Sequence, residues 1–61
     1  MCDSRAFFRR AGGEELLLEE VASIKPIENG YKLVSLFGEE VEVKGVLEEI
    51  NLLQNRIVFV D

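Results

Sequence analysis

Asn29-Gly30-Tyr31-Lys32-Leu33-Val34-Ser35-Leu36-Phe37-Gly38-Glu39-Glu40-Val41-Glu42-Val43-Lys44-Gly45 is the stretch of this chain that decides its fold. Asn-Gly is a preferred pair for tight hairpin turns, whose central residues take positive φ. The run from Tyr31 to Phe37 is aromatic and β-branched enough to suit a pleated, half-buried surface, and Gly38 ends it. From Glu40 to Lys44 polar and apolar residues alternate strictly, as on a strand with one face buried and the other in water. Gly45 closes that run. Two short strands joined by tight turns are the natural reading.

The same pattern extends outward. Towards the C-terminus Gln54-Asn55 marks a turn and Ile57-Val58-Phe59-Val60 a strand; towards the N-terminus Gly12-Gly13 and Pro26 punctuate the chain, and Cys2 to Arg10 reads as a first strand. Two segments fit either structure. Between Glu14 and Lys25, Leu17, Val21 and Ile24 form a helical stripe, while Leu16, Leu18, Ala22 and Ile24 form most of one strand face. Between Val46 and Leu53, helical spacing of Val46, Ile50 and Leu53 raises the same question. Closely spaced turn signals leave little room for long helices, so both are assigned to strands. The expectation is an all-β fold, a small SH3-like barrel of five to six short strands formed by residues 1–61 as a single domain, with an α+β arrangement as the alternative. The residues expected to face inward are Phe8, Leu16, Leu18, Ile24, Leu33, Val41, Val43, Leu47, Ile57 and Phe59.

With 61 residues the chain has room for one core and no deep substrate cleft, and chains this short often gain stability from a metal, a disulfide or a partner subunit. No apolar run is long enough to span a membrane, and no basic segment leads into an apolar stretch at the start, so a cytoplasmic protein is expected. The single cysteine is then expected to be reduced and free. Twelve acidic residues against seven basic ones give a net charge of −5, which opposes nucleic-acid binding. Histidine is absent, and with it the commonest general base and metal ligand, so no catalytic residue is assigned and an enzyme is not expected.

Cys2 is the one residue that carries distinctive chemistry. If the first strand is extended, Cys2, Ser4, Ala6 and Phe8 share one face, and Asp3, Arg5, Phe7 and Arg9 the other. A lone cysteine is commonly a small buried hydrophobe, but the first residues of a chain are seldom core. A thiolate beside its own backbone nitrogen and a terminal amine forms a mixed nitrogen and sulfur ligand set. One chain supplies one sulfur; a two-fold dimer with the first strands near its axis supplies two. Such donors in a plane suit Ni(II) or Cu(II), and in a tetrahedron Zn(II).

Other clusters have plainer readings. Arg5, Arg9 and Arg10 around Phe7 and Phe8 are expected to pair locally or contact a partner rather than bind nucleic acid. The acidic pairs Glu14-Glu15, Glu19-Glu20, Glu39-Glu40 and Glu48-Glu49 do not converge if extended, and read as a solvated face. The glycines follow turn logic, with no phosphate-binding spacing. Leu17 and Leu36 are apolar positions that alternation leaves outward, suited to an association patch.

The Met1-Cys2 start, the block Glu14-Glu15-Leu16-Leu17-Leu18-Glu19, the run from Leu33 to Glu40 and the tail from Glu49 to Val58 agree in order and spacing with one family. On these features the whole chain resembles the small CooT-type nickel-binding proteins associated with carbon monoxide dehydrogenase maturation. The resemblance implies an SH3-like barrel, a homodimer, and one Ni(II) held at the dimer interface by Cys2 of both subunits for delivery to the apo-enzyme. Only Cys2 carries over as a side-chain ligand; the remaining ligands would be backbone nitrogen, water or a carboxylate such as Asp3. A metal-free interaction or assembly module is the alternative, and RNA binding a weaker one.

Overall fold

The computed structural model describes residues 4–61. They form β1 (Arg5–Arg10), β2 (Gly13–Glu19), β3 (Val21–Ile27), β4 (Gly30–Ser35), β5 (Glu40–Val43), β6 (Val46–Asn51) and β7 (Arg56–Val60). Among the described residues none is helical, so both ambiguous segments are strands and the all-β class is the observed one. The expected five to six strands become seven because the stretch from Glu14 to Lys25 divides in two. Glu20 lies at the division with a left-handed φ of 55°. That conformation is uncommon for a residue with a side chain, and it turns the chain from one sheet into the other.

Hydrogen bonding groups the strands into two sheets, ordered β2-β1-β7-β6 and β3-β4-β5, rather than one closed ring. Only β1 and β7 run parallel; the other neighbouring pairs are antiparallel. Bulges fall at Leu17 in β2, Ala22 in β3 and Glu48 in β6, each a residue skipped by the register. An extra residue on one strand bends it and increases twist, which wraps the two small sheets around each other. Pro26 has a place in β3 because that strand is an edge, where a missing N–H costs no ladder bond.

The core lies between the sheets and consists of Ala6, Phe8, Leu18, Val21, Leu33, Val43, Ile57 and Phe59, with Leu17, Ile24, Tyr31, Val41 and Leu47 packed at its margin. The Tyr31 and Phe59 rings meet at a centroid distance of 5.4 Å. Nine of the ten expected inward residues are in this set. The exception, Leu16, is displaced by the bulge at Leu17: register across it pairs Ala6 with Leu18 but Phe7 with Leu16, so Leu16 points out and is 46% exposed. The same slip draws Leu17 against the core, which removes it from the expected outward patch.

Val58 is fully buried yet lies outside the core cluster. Its neighbours Ile57 and Phe59 face inward, so Val58 is on the outer face of the four-stranded sheet, beside Phe7 in register. Side chains cover it there. The Arg56 guanidinium lies 4.8 Å from the centre of the Phe7 ring, and its Nη2 donates to Glu14 Oε1. Arg9 donates from Nη1 to Glu48 at 2.7 Å and from Nη2 to Glu14 at 3.3 Å. Charged side chains thus roof a small apolar patch on a sheet face that alternation would leave open.

Candidate functional site

Cys2 lies outside the described residues, which begin at Ser4. Arg5 N–H donates to the Asn55 carbonyl at 2.9 Å, and Val21 N–H donates to the Ser4 carbonyl at 3.0 Å. Ser4 and Arg5 are therefore tied on one side to the β6–β7 turn and on the other to the start of β3. The alternation expected for the first strand holds over the described part: Ala6 and Phe8 enter the core, while Arg5 and Arg9 face solvent.

The end of the molecule around Ser4 is built from loops. Leu36 N–H donates to the Glu20 carbonyl at 2.8 Å, which brings the β4–β5 loop against the β2–β3 bend. Across this end the order is the β4–β5 loop, the β2–β3 bend, the chain start and the β6–β7 turn. Both outer loops are braced by polar groups. The buried Ser35 Oγ accepts from the N–H of Phe37 and of Glu39, each at 3.1 Å, and Gly38 takes a φ of 88° to close the loop. Asn51 Oδ1 accepts from Gln54 N–H at 3.0 Å, and Asn55 turns the chain with a φ of 55°.

These loops carry exposed apolar side chains. Leu53 is 97% exposed, Leu52 80%, Phe37 77% and Leu36 55%. Leu36 was expected on the outward patch and is there; Phe37, Leu52 and Leu53 were read as strand residues and belong to the turns. The signal that locates them is their position against Gly38 and Asn51, since an apolar residue in a tight turn has no sheet face to enter.

The remaining candidates separate as follows. Arg9 and Arg10 pair locally: Arg10 lies 4.4 Å from the Phe8 ring centre and reaches Glu15, while Arg9 binds Glu14 and Glu48 on the other face. Arg5 makes no ion pair among the described residues, nor do Glu19, Glu20 and Glu39. Glu14 and Glu48 belong to different acidic pairs, yet both converge on Arg9. Among the described residues no group of three or more His, Cys, Asp or Glu side chains is arranged to hold a metal ion.

Comparison with known proteins bears on the same end of the chain. Residues 1–59, Cys2 among them, match the family model described as CO dehydrogenase accessory protein CooT. A crystal structure described as CooT from Carboxydothermus hydrogenoformans superposes with a TM-score of 0.89 at 32% identity, covering 97% of this chain and 95% of that one. No curated protein matches this chain.

Proposed function

The chain belongs to the CooT family of CO dehydrogenase accessory proteins, and from that premise we propose that it is a homodimeric carrier of one Ni(II) ion. The Cys2 thiolates of two copies hold the ion for delivery to a nickel enzyme such as CO dehydrogenase. The observation that supports this reading is the anchoring of the chain start. Ser4 and Arg5 are hydrogen-bonded into the fold at an end made of exposed loops. In this reading the thiol, two residues before Ser4 in sequence, meets a second copy at that end.

The chemistry fits a carrier. Thiolate sulfur and backbone nitrogen are donors soft enough for Ni(II), while Cu(II) and Zn(II) compete for related sets. A carrier must also release its cargo. With one side-chain ligand per chain and the balance from backbone nitrogen, water or Asp3, the ion is held by few protein groups and is accessible to an acceptor. Coordination requires the thiolate, so binding releases protons and weakens as pH falls.

Titration of the protein with Ni(II), followed by thiolate-to-metal charge-transfer absorption, tests the proposal. One ion per two chains is expected, with binding lost in Cys2→Ala and the circular dichroism unchanged. Equal binding by Cys2→Ala removes the residue from the role. The exposed apolar loops favour a second reading, a metal-free assembly module, in which Cys2→Ser is silent.

A further inference from the structure

We infer that Asn29-Gly30 is a site of self-modification: the tip of the β3–β4 hairpin opens within the folded protein, Asn29 cyclises onto the backbone nitrogen of Gly30, and deamidation leaves aspartate or isoaspartate in its place. The inference stands apart from the carrier reading. β4 runs from this tip to Ser35 at the opposite end of the molecule, the end that holds Ser4.

The chemistry is set by the residue that follows the asparagine. The Gly30 nitrogen, once its proton has gone to hydroxide, attacks Asn29 Cγ; a C–N bond forms, the Cγ–Nδ2 bond breaks, and ammonia leaves with a proton from water. The resulting succinimide takes up one water. Opening at Cγ gives aspartate, and opening at the main-chain carbonyl of residue 29 gives isoaspartate, whose backbone runs through Cβ and Cγ and is one atom longer. Nothing is oxidised or reduced. A side chain on the attacking residue hinders ring closure, and glycine has none. Packing keeps glycine there, since a Cβ at Gly30 would collide with the Val43 carbonyl.

Three observations select Asn29 over Asn51 and Asn55. The first is freedom. The Asn29 side chain is exposed and makes no hydrogen bond among the described residues. Asn51 Oδ1 accepts from Gln54 N–H, the Asn55 carbonyl accepts from Arg5 N–H, and the residues that follow them are the bulky Leu52 and Arg56. The second is the turn. Its central residues are Glu28 and Asn29, and neither takes a positive φ. Such turns splay the strands they join, whereas their mirror images follow the strand twist. The third is the ladder behind the tip. Pro26 faces Tyr31 with no N–H to give, and Lys25 faces Lys32, where like charges repel. The tip therefore opens on its own while the rest of the sheet stays paired.

Incubation of the full chain in mildly alkaline buffer, below its melting temperature, tests the inference. Peptide mass spectrometry locates the change, and carboxyl methylation by an isoaspartyl methyltransferase counts isoaspartate. A gain of one mass unit is expected in the peptide carrying Asn29, at least about tenfold faster than at Asn51 or Asn55, because the hairpin tip opens more readily than the braced turn. The rate should rise with pH, as the attacking nitrogen must lose its proton. Asn29→Ser is expected to abolish the change. Lys25→Glu sets opposite charges across the ladder at an exposed position and is expected to slow it about twofold. Arg56→Ala weakens the other sheet and is expected to leave the rate unaltered, since the opening is local. No mass gain at Asn29, equal gain at all three asparagines, a rate indifferent to Lys25→Glu, or a rate raised by Arg56→Ala, which would mark passage through global unfolding, each overturns the inference.

Discussion

Arg56→Ala should destabilise this protein by about 2 kcal/mol although Arg56 is no part of its core. Three contributions add. The guanidinium over Phe7 is a cation–π contact worth ~0.5–1 kcal/mol where solvent still reaches it. The ion pair to Glu14 has both side chains about a third exposed, and solvent screening holds it to ~0.2–1 kcal/mol. Truncation also uncovers apolar surface of Phe7 and the fully buried Val58; some 30–40 Å² newly wetted costs roughly 1 kcal/mol. In a domain of this size the total lowers the melting temperature by roughly 8–16 °C. Arg56→Met separates these contributions. It keeps an apolar stem over Val58 and removes the buried Arg56 Nε, which has no hydrogen-bond partner among the described residues. Its cost should be roughly half that of Ala. Urea and thermal unfolding by circular dichroism, at low salt and in 1 M NaCl, give both numbers. Salt should weaken the ion-pair part alone and leave the gap between Ala and Met unchanged. Equal losses in Ala and Met, or a loss below about 0.5 kcal/mol in Ala, would refute the covering role.

Other outcomes follow from the packing. A methyl group at Gly30 would sit 1.9 Å from the Val43 carbonyl oxygen, whereas one at Gly12 meets nothing within 4 Å. Gly30→Ala should therefore cost at least about 2 kcal/mol in urea unfolding and Gly12→Ala almost nothing. Ser35→Ala leaves the N–H groups of Phe37 and Glu39 without their acceptor; it should cost about 1–3 kcal/mol and speed amide exchange at both residues.

Much of the fold is legible because the strand signals are local. Glu40 to Val43 alternates, and β5 buries Val43 while Glu40 and Glu42 stay in water. A hairpin turn does join β3 to β4, but its central residues are Glu28 and Asn29, one residue earlier than the Asn29-Gly30 pair suggests: Gly30 opens β4 opposite Ile27, and neither Asn29 nor Gly30 takes a positive φ. The apolar run Ile57 to Phe59 is the most buried strand segment among the described residues. The bend at Glu20 is not legible. No glycine or proline marks it, and the left-handed φ is imposed by the need to leave one sheet and enter the other. Nor are the bulges: a skipped residue at Leu17 reverses the facing of Leu16, which composition cannot foretell. Burial of Val58 depends on Arg56, Glu14 and Arg9 meeting across three strands, a contact between residues distant in sequence.

The candidate site is legible in a different way. Cys2 stands out through its chemistry at the chain start, but nothing local says what surrounds it. The surroundings of Ser4 and Arg5, the first described residues, come from the pairing of β1 with β7, which sets Arg5 beside Arg56 and so next to the β6–β7 turn. The turn itself breaks a rule that the rest of the chain keeps. Gln54-Asn55 is ordinary turn chemistry, whereas Leu52-Leu53 places two large apolar side chains where neither sheet can cover them. Phe37 does the same beside Gly38. Local choices that oppose folding economy persist where function requires them. Here Phe37, Leu52 and Leu53, the three most exposed large apolar residues among those described, lie on the two loops on either side of Ser4. Neither loop gains burial within one chain from carrying them, which is why composition and alternation, both readings of what one chain can bury, assign them to strands.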